Sequence, residues 1–147
     1  MNSWRDSVSQ AAQDDLDNLY AASLHMACEL LEKNQEFYPF AFALSVDDEM
    51  TPIAVHLGSE FPDSNSVIAN LKVVQKSRKH SDKASALTSD VFINQRKSSA
   101  IDILMEHREG IALEVIVPYS IHGVIKKKVK LGTIITTPAD LLIWPAK

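Results

Sequence analysis

The densest group of titratable side chains is the run Glu106-His107-Arg108-Glu109-Gly110. A histidine among carboxylates could serve as a general base or as a metal ligand. The spacing matches no common metal-binding motif, and neighbouring residues on a strand point to opposite faces, so Glu106 and His107 do not converge by themselves. Glu109-Gly110 is also an ordinary turn pair, because glycine readily supplies positive φ. The run therefore predicts the tip of a β-hairpin more strongly than a catalytic centre.

A second pair that could do chemistry is His25 with Cys28, three residues apart on a predicted helix. The two could form a nucleophile–base pair or share a ligand, although simple packing of such residues in a helix is the commoner arrangement. The chain contains no phosphate-binding loop, dinucleotide fingerprint, His-Glu-x-x-His or Gly-x-Ser-x-Gly motif. We therefore expect no catalytic residue, no metal site and no cofactor.

Aromatic residues are concentrated in Glu36-Phe37-Tyr38-Pro39-Phe40, where the first predicted helix meets the first strand. Such a corner usually anchors a helix on a sheet, and it could also line a pocket or an interface, where aromatic side chains dominate. Six residues are the candidates for ligand binding or for an interface: Tyr38, Phe37, Glu106, His107, Arg108 and Tyr119.

The composition is that of one globular domain over residues 1–147, with 46% hydrophobic and 23% charged residues. Cys28 is the only cysteine, which excludes an intramolecular disulfide and favours a reducing compartment. No apolar run approaches the ~20 residues that span a bilayer, and the polar, acidic N-terminus is unlike a signal peptide. We expect a cytoplasmic protein with no membrane partner.

The charge is unevenly distributed along the chain. Residues 1–60 contain eleven acidic and two basic residues, whereas residues 61–147 contain thirteen basic and eight acidic ones. The two halves could attract each other within one fold, or the acidic first helix could meet a basic partner. Nucleic-acid binding through Lys72–Lys79 and Lys126–Lys130 is disfavoured, because it requires a concentrated positive field.

Hydrophobic spacing predicts two helices. The first ends near Asn34, which can adopt the left-handed conformation that closes a helix, and the second runs from about Ser64 to His80. The pattern leaves open whether residues 1–13 form part of an ordered helix. The apolar stripe of the first helix consists of Leu16, Leu19, Tyr20, Ala27, Leu30 and Leu31.

Alternating apolar residues predict the strands, most clearly in Ile101–Tyr119, where two strands meet at a turn over residues 108–110 and present one covered and one wet face. On the last strand, Lys126, Lys128 and Lys130 would face carboxylates of this hairpin in a solvated charge ladder. The other strands are expected at residues 40–46, 53–57, 84–93 and 124–136, with Asp47-Asp48-Glu49 as a turn.

The predicted class is α+β, in the order α-β-β-α-β-β-β-β. A mostly antiparallel sheet of five to six strands would carry both helices on one face. Thr137-Pro138 is typical of a helix start, so a short C-terminal helix is an option.

The Glu36–Phe40 segment, the Glu106–Gly110 hairpin and the strand ending Pro118-Tyr119 resemble a widespread family of small, uncharacterised bacterial proteins. The similarity covers residues 15–120, and the Lys-rich last strand and the LLIWPAK tail are less typical of it. The resemblance implies a compact cytoplasmic α+β domain. It implies no activity, because none is established for the family.

The leading hypothesis is a non-enzymatic protein that acts through a protein–protein surface, as a homodimer or with another protein. An immunity-type protein that neutralises a toxin is one concrete version of it. The alternative is a small-ligand sensor or enzyme with a pocket between the first helix and the sheet. Its first candidate residues are Tyr38, His107, Glu106 and Tyr119.

Overall fold

The computed structural model describes residues 3–55, 58 and 62–146. A 3₁₀ turn over Trp4–Ser7 precedes two α-helices and seven β-strands. The helices are α1 (Gln10–Asn34) and α2 (Ser64–Ser77). The strands are β1 (Phe40–Ser45), β2 (Met50–Ile53), β3 (Asp82–Ile93), β4 (Ser98–His107), β5 (Ile111–His122), β6 (Lys128–Leu131) and β7 (Ile135–Pro138).

Local signals set both ends of α1. The Ser9 hydroxyl accepts a hydrogen bond from the backbone N–H of Ala12 at 3.1 Å and caps the first turn. At the other end, Gln35 has φ 66° and its N–H donates to the carbonyl of Leu31 at 2.8 Å. The left-handed residue is therefore Gln35, one position after the predicted Asn34.

All strand pairs are antiparallel, in the order β2-β1-β3-β4-β5. Strands β6 and β7 share the outer edge of β5, where β6 pairs with Tyr119–His122 and β7 with Leu113–Ile116. The single last strand expected over residues 124–136 is thus two strands, and residues 124–127 form the turn before β6. Strand β2 ends at Ile53, before the expected Val55; Leu57 lies outside the described residues.

The main core lies between α1 and one face of the sheet. The buried stripe of α1 covers alternate residues of β1, β3, β4 and β5. In β4 these are Ile101, Ile103 and Met105, as their alternation predicted. The cluster comprises Leu16, Leu19, Ala27, Leu31, Phe40, Phe42, Leu44, Ala84, Ala86, Ile101, Ile103, Met105, Leu113, Val115 and Val117.

Helix α2 packs on the opposite face, so the expectation of both helices on one face is wrong. Ala41 and Leu87 are neighbours in the β1–β3 register, and their side chains lie on the other side of the sheet from Phe42 and Ala86. They form a second buried cluster with Val67 and Leu71 of α2. Because β1 and β3 are apolar on both faces, each face needs its own helix.

No helix forms at the C-terminus within the described residues. Thr137 and Pro138 belong to β7, which pairs with the outer edge of β5, where a proline without an N–H is tolerated. Residues 139–146 then cross the sheet in an irregular path and bury Ile143.

The α+β class and the antiparallel sheet are confirmed, with seven strands in place of five to six. Neither described helix is long and apolar enough to cross a membrane.

We expect Ile103→Ala, at the centre of the main core, to lower the free energy of unfolding by about 2–5 kcal/mol through the cavity that it leaves. Val73→Ala on the exposed side of α2 is the control and should change it by less than about 0.5 kcal/mol. Urea unfolding measures both. Equal losses in the two variants would contradict the assignment of the core.

Candidate functional site

His107 is buried on the α1 face, and both of its ring nitrogens have partners. Its Nε2 donates to Oδ2 of Asp15 at 2.9 Å, and its Nδ1 accepts the backbone N–H of Glu109 at 3.1 Å. Because Nδ1 accepts, the ring proton lies on Nε2. Both nitrogens are engaged within the fold, so this geometry gives His107 a structural role.

Asp15 is the buried partner of two cationic or donor side chains. Besides His107, Lys83 approaches Oδ1 of Asp15 with its Nζ at 3.2 Å and also contacts Asp48. The hydrogen bonds to Asp48 and Asp15 raise the pKa of Lys83. A buried carboxylate is costly unless it is paired, and here the pairing joins α1 to β3 and β4.

Glu109 extends this contact to the start of α1. Its carboxylate accepts the backbone N–H of Ser9 at 3.0 Å and also the Ser9 hydroxyl. These hydrogen bonds lower the pKa of Glu109. We call the set Ser9, Asp15, Lys83, His107 and Glu109 the clasp, because it fastens the β4–β5 hairpin to the first half of α1.

Glu106 lies on the opposite face from His107, as the alternation predicted, and is also buried. Its two carboxylate oxygens accept the backbone N–H groups of Leu142, Ile143 and Trp144 at 2.6–3.0 Å. The negative charge is therefore held by backbone donors of the C-terminal segment. Glu106 therefore anchors that segment to β4.

Arg108 is exposed at the hairpin tip, and its backbone N–H donates to the carbonyl of Lys83 at 2.9 Å. Thus three of the six candidates, Glu106, His107 and Arg108, point in three different directions and do not form one site. The partners that settle their roles are Asp15 and the backbone of residues 142–144, which sequence reasoning missed.

Tyr119 lies at the other end of the sheet, where its hydroxyl donates to Oδ1 of Asp90 at 2.6 Å. Burial raises the pKa of Asp90, even though the hydrogen bonds from Tyr119 and from the backbone of Phe37 act against it. Burial and the neighbouring Asp90 raise the pKa of Tyr119. Asp90 is a further functional candidate, which no sequence motif indicated.

Beside Asp90, a groove of about 830 Å³ opens between the C-terminal half of α1, the start of β1, residues 54–55 and the chain at the start of α2. Phe37 packs against Phe40 with ring centroids 5.6 Å apart, whereas Tyr38 remains 49% exposed. We call this the aromatic groove. Its apolar wall includes Met26, Leu30, Phe37, Tyr38, Val55 and Val67.

The aromatic groove is acidic. Among its described lining residues, Glu36 and Asp90 are the charged ones, and neither lysine nor arginine is present. Phe92 follows Asp90 by two residues on β3, hence on the same face, and is 56% exposed. Exposed aromatic side chains that lie close together are typical of a surface that binds a partner.

A second pair of carboxyl groups lies on the α2 face of the sheet. The carboxyl groups of Asp102 and Glu114 are neighbours there, and burial together with Glu114 raises the pKa of Asp102 to about 8. Oδ1 of Asp102 has no hydrogen-bond donor within the described part of the chain. The pair must share a proton at neutral pH, because two adjacent carboxylates cannot both ionise cheaply.

The expected charge ladder between the lysines and this hairpin does not form. In the β5–β6 register, Lys130 faces Ser120 and Lys128 faces His122, and β7, not β6, lies beside Glu114. The short β6 places the lysines beyond the end of β4, away from Asp102.

Residues 3–55, 58 and 62–146 contain no group of three His, Cys, Asp or Glu side chains placed to hold a metal ion. Comparison with protein-family models, with curated proteins and with solved structures found no match. The resemblance to a family of small bacterial proteins therefore stays a prediction.

We expect Glu106→Ala to lower the free energy of unfolding by about 3 kcal/mol, because three backbone N–H groups lose a charged acceptor. Trp144 should move into water and its fluorescence should shift to the red. Glu49→Ala, at an exposed turn, is the matched control. An unchanged Trp144 spectrum in Glu106→Ala would contradict the anchoring role.

The raised pKa of Asp102 predicts a pH-dependent contribution to stability. Its folded pKa of about 8 lies above the ordinary value of 3.8, so the folded state binds the extra proton between these values. This contribution is present in full below about pH 4, declines as the pH rises, and is lost above about pH 8.

Asp102→Asn should therefore gain stability relative to the unmodified chain as the pH rises from 4 to 8. Melting temperatures from pH 4 to 9 measure the difference, with Asp47→Asn in the exposed β1–β2 turn as the control. A difference that is the same at every pH would refute the shared proton.

Proposed function

We propose that this protein is a non-enzymatic binding module whose aromatic groove takes an apolar protein segment that carries basic side chains. One observation supports this most. Glu106 and His107 of the β4–β5 hairpin are engaged inside the fold, while Tyr38 is about half exposed in the groove beside Asp90 and Phe92 is about half exposed two residues further along β3.

The lining of the groove suggests the chemistry of the partner. Its apolar wall would bury aliphatic or aromatic side chains, which supply most of the free energy at protein interfaces. Glu36 and Asp90 would then favour a neighbouring lysine or arginine, and these attractions contribute chiefly to specificity and association rate.

The edges of the sheet are poorer candidates for a protein partner. Strand β2 has four residues and contains Pro52, which has no N–H to offer to an added strand. At the other edge, β6 and β7 are separate four-residue strands interrupted at residues 132–134. Both edges resist extension by another strand, which leaves the groove as the better surface.

An immunity-type role is one form of this proposal, and the toxin would then present the basic, apolar segment. The interaction would take place in the cytoplasm, where Cys28 would remain reduced. No residue of the groove is assigned a catalytic role.

A small molecule is the second candidate occupant. The groove volume of about 830 Å³ lies in the range of ligand sites, and the Tyr119–Asp90 pair supplies an oriented polar group at its border. A ligand that binds only the folded state would raise the melting temperature, so a metabolite panel separates the two candidates.

Tyr38→Ala combined with Phe92→Ser should weaken capture of the protein partner from the cells of origin by ~30-fold or more, as expected for loss of two aromatic anchors. Immobilised chain and quantitative mass spectrometry measure the captured protein, and purified partner then gives the affinity. Val73→Ser removes an exposed apolar side chain from α2, away from the groove, and serves as the control.

Capture that is unaffected by the groove variant would contradict the proposal, provided that circular dichroism shows both variants to be folded. A partner lost equally from both variants would contradict it as well, because the binding surface would then lie elsewhere.

A further inference from the structure

The turn between β5 and β6 presents two aliphatic side chains almost entirely to solvent. Val124 is 93% exposed and Ile125 is 98% exposed. The turn has a defined shape, because Gly123 has φ 109° and a Cβ at that position would lie 2.1 Å from the carbonyl oxygen of Lys126. We call residues 123–127 the β5–β6 tip.

The tip is also strongly basic. Residues 120–131 contain four lysines and one histidine and no acidic residue. Lys127 folds back, with its Nζ donating to the carbonyl of Gly123 at 2.9 Å, whereas Lys126 and Lys128 are exposed. Glu32 of α1 accepts the backbone N–H of Val129, which follows the tip, at 3.0 Å.

The tip is complementary to the aromatic groove, because its apolar side chains are flanked by lysines and the groove combines an apolar wall with carboxylates. The tip and the groove of one molecule lie at the same end of the sheet. The contact of Glu32 with Val129 places β6 beside the C-terminal end of α1, and the groove begins at the same end of that helix. They flank α1 on opposite sides, with β1 and β2 on the groove side and β6 on the other.

We propose that the occupant of the groove is the β5–β6 tip of a second copy of this chain, in a reciprocal two-fold dimer. This inference rests on the proposed function of the groove. A two-fold axis normal to the sheet at this end places the β6 edge of one copy opposite the β1–β2 edge of the other. It therefore brings each tip opposite the groove of the other copy and closes the assembly at two chains.

In each of the two equivalent contacts, Val124 and Ile125 enter the apolar wall of the groove. Lys126 and Lys128 then face Glu36 and Asp90, and the acidic first half of one chain meets the basic second half of the other. Dimerisation is accordingly weakened by salt.

A charge exchange tests this arrangement. In the Lys126→Glu plus Lys128→Glu variant, the carboxylates of each tip would face Glu36 of the other copy. In the Glu36→Lys variant, the lysines of each tip would face Lys in place of Glu36. Each variant alone should be monomeric, with the dimer weakened roughly 100-fold, because a tenfold loss per contact is squared by symmetry. A mixture of the two variants pairs opposite charges in both contacts and should restore a dimer of one chain of each.

Sedimentation velocity over a range of concentrations measures these states. Lys76→Glu on α2 plus Lys79→Glu in the turn that follows it is a control of equal charge change that should stay dimeric. A monomeric unmodified chain, or a mixture that fails to pair, overturns the dimer. If partner capture is still lost in the Tyr38/Phe92 variant, the groove function stands and only its occupant is wrong.

Two further measurements separate other uses of the tip. Sedimentation with phosphatidylcholine vesicles containing phosphatidylglycerol, and retention on single-stranded DNA, are each compared with the Val124→Ser plus Ile125→Ser variant. Binding to either by a monomeric chain, lost in that variant, overturns the dimer in favour of an anionic surface. Absence of both, together with rescue in the mixture, supports it.

Discussion

The contact between His107 and Asp15 joins two residues that are 92 positions apart, and the path of the chain depends on it. Asp15 on α1 is nearly removed from water, so its charge must be matched by groups held in place by the sheet. His107 and Lys83 supply that match only when the β4–β5 hairpin has its observed register and α1 its observed rotation. Glu109 adds a cap on the first turn of the same helix. Such a buried polar contact contributes less to net stability than to the choice of one arrangement among several of similar hydrophobic burial.

With its first half fixed by the clasp, α1 carries this constraint to the far end of the molecule. The helix has 25 residues and is about 37 Å long, which is comparable to the length of the longest strands. Its last turns are held by the Glu32–Val129 contact on one side and open onto the aromatic groove on the other. Glu106, His107 and Glu109 therefore stabilise the fold at one end of the molecule, and the exposed aromatic surface lies at the other end.

Local patterns predicted local structure well. The alternation of Ile101, Ile103 and Met105 identified the buried face of β4, and it correctly put Glu106 and His107 on opposite faces. Sequence patterns were insufficient where one pattern fits two structures. The alternation in β1 did not show that Ala41, together with Leu87 of β3, packs against α2. Thr137-Pro138 suits an edge strand as well as a helix start. The site partners could not be read at all, because Asp15 and Asp90 are ordinary acidic residues until folding brings His107 and Tyr119 to them. The lysine positions were recognised but their register was not, since β6 begins only at Lys128.

The hydrogen bonds of Glu106 affect the order in which the chain can fold during synthesis. Its partners are backbone groups that follow it by 36 to 38 residues, after β5, β6 and β7 have been synthesised. A nascent chain can pair β3 with β4 as those strands leave the ribosome, but it then holds a carboxylate on the sheet surface with nothing to receive it. Water must solvate that side of β4 until residues 142–144 emerge, so this part of the α2 face closes only after β5, β6 and β7 have been synthesised.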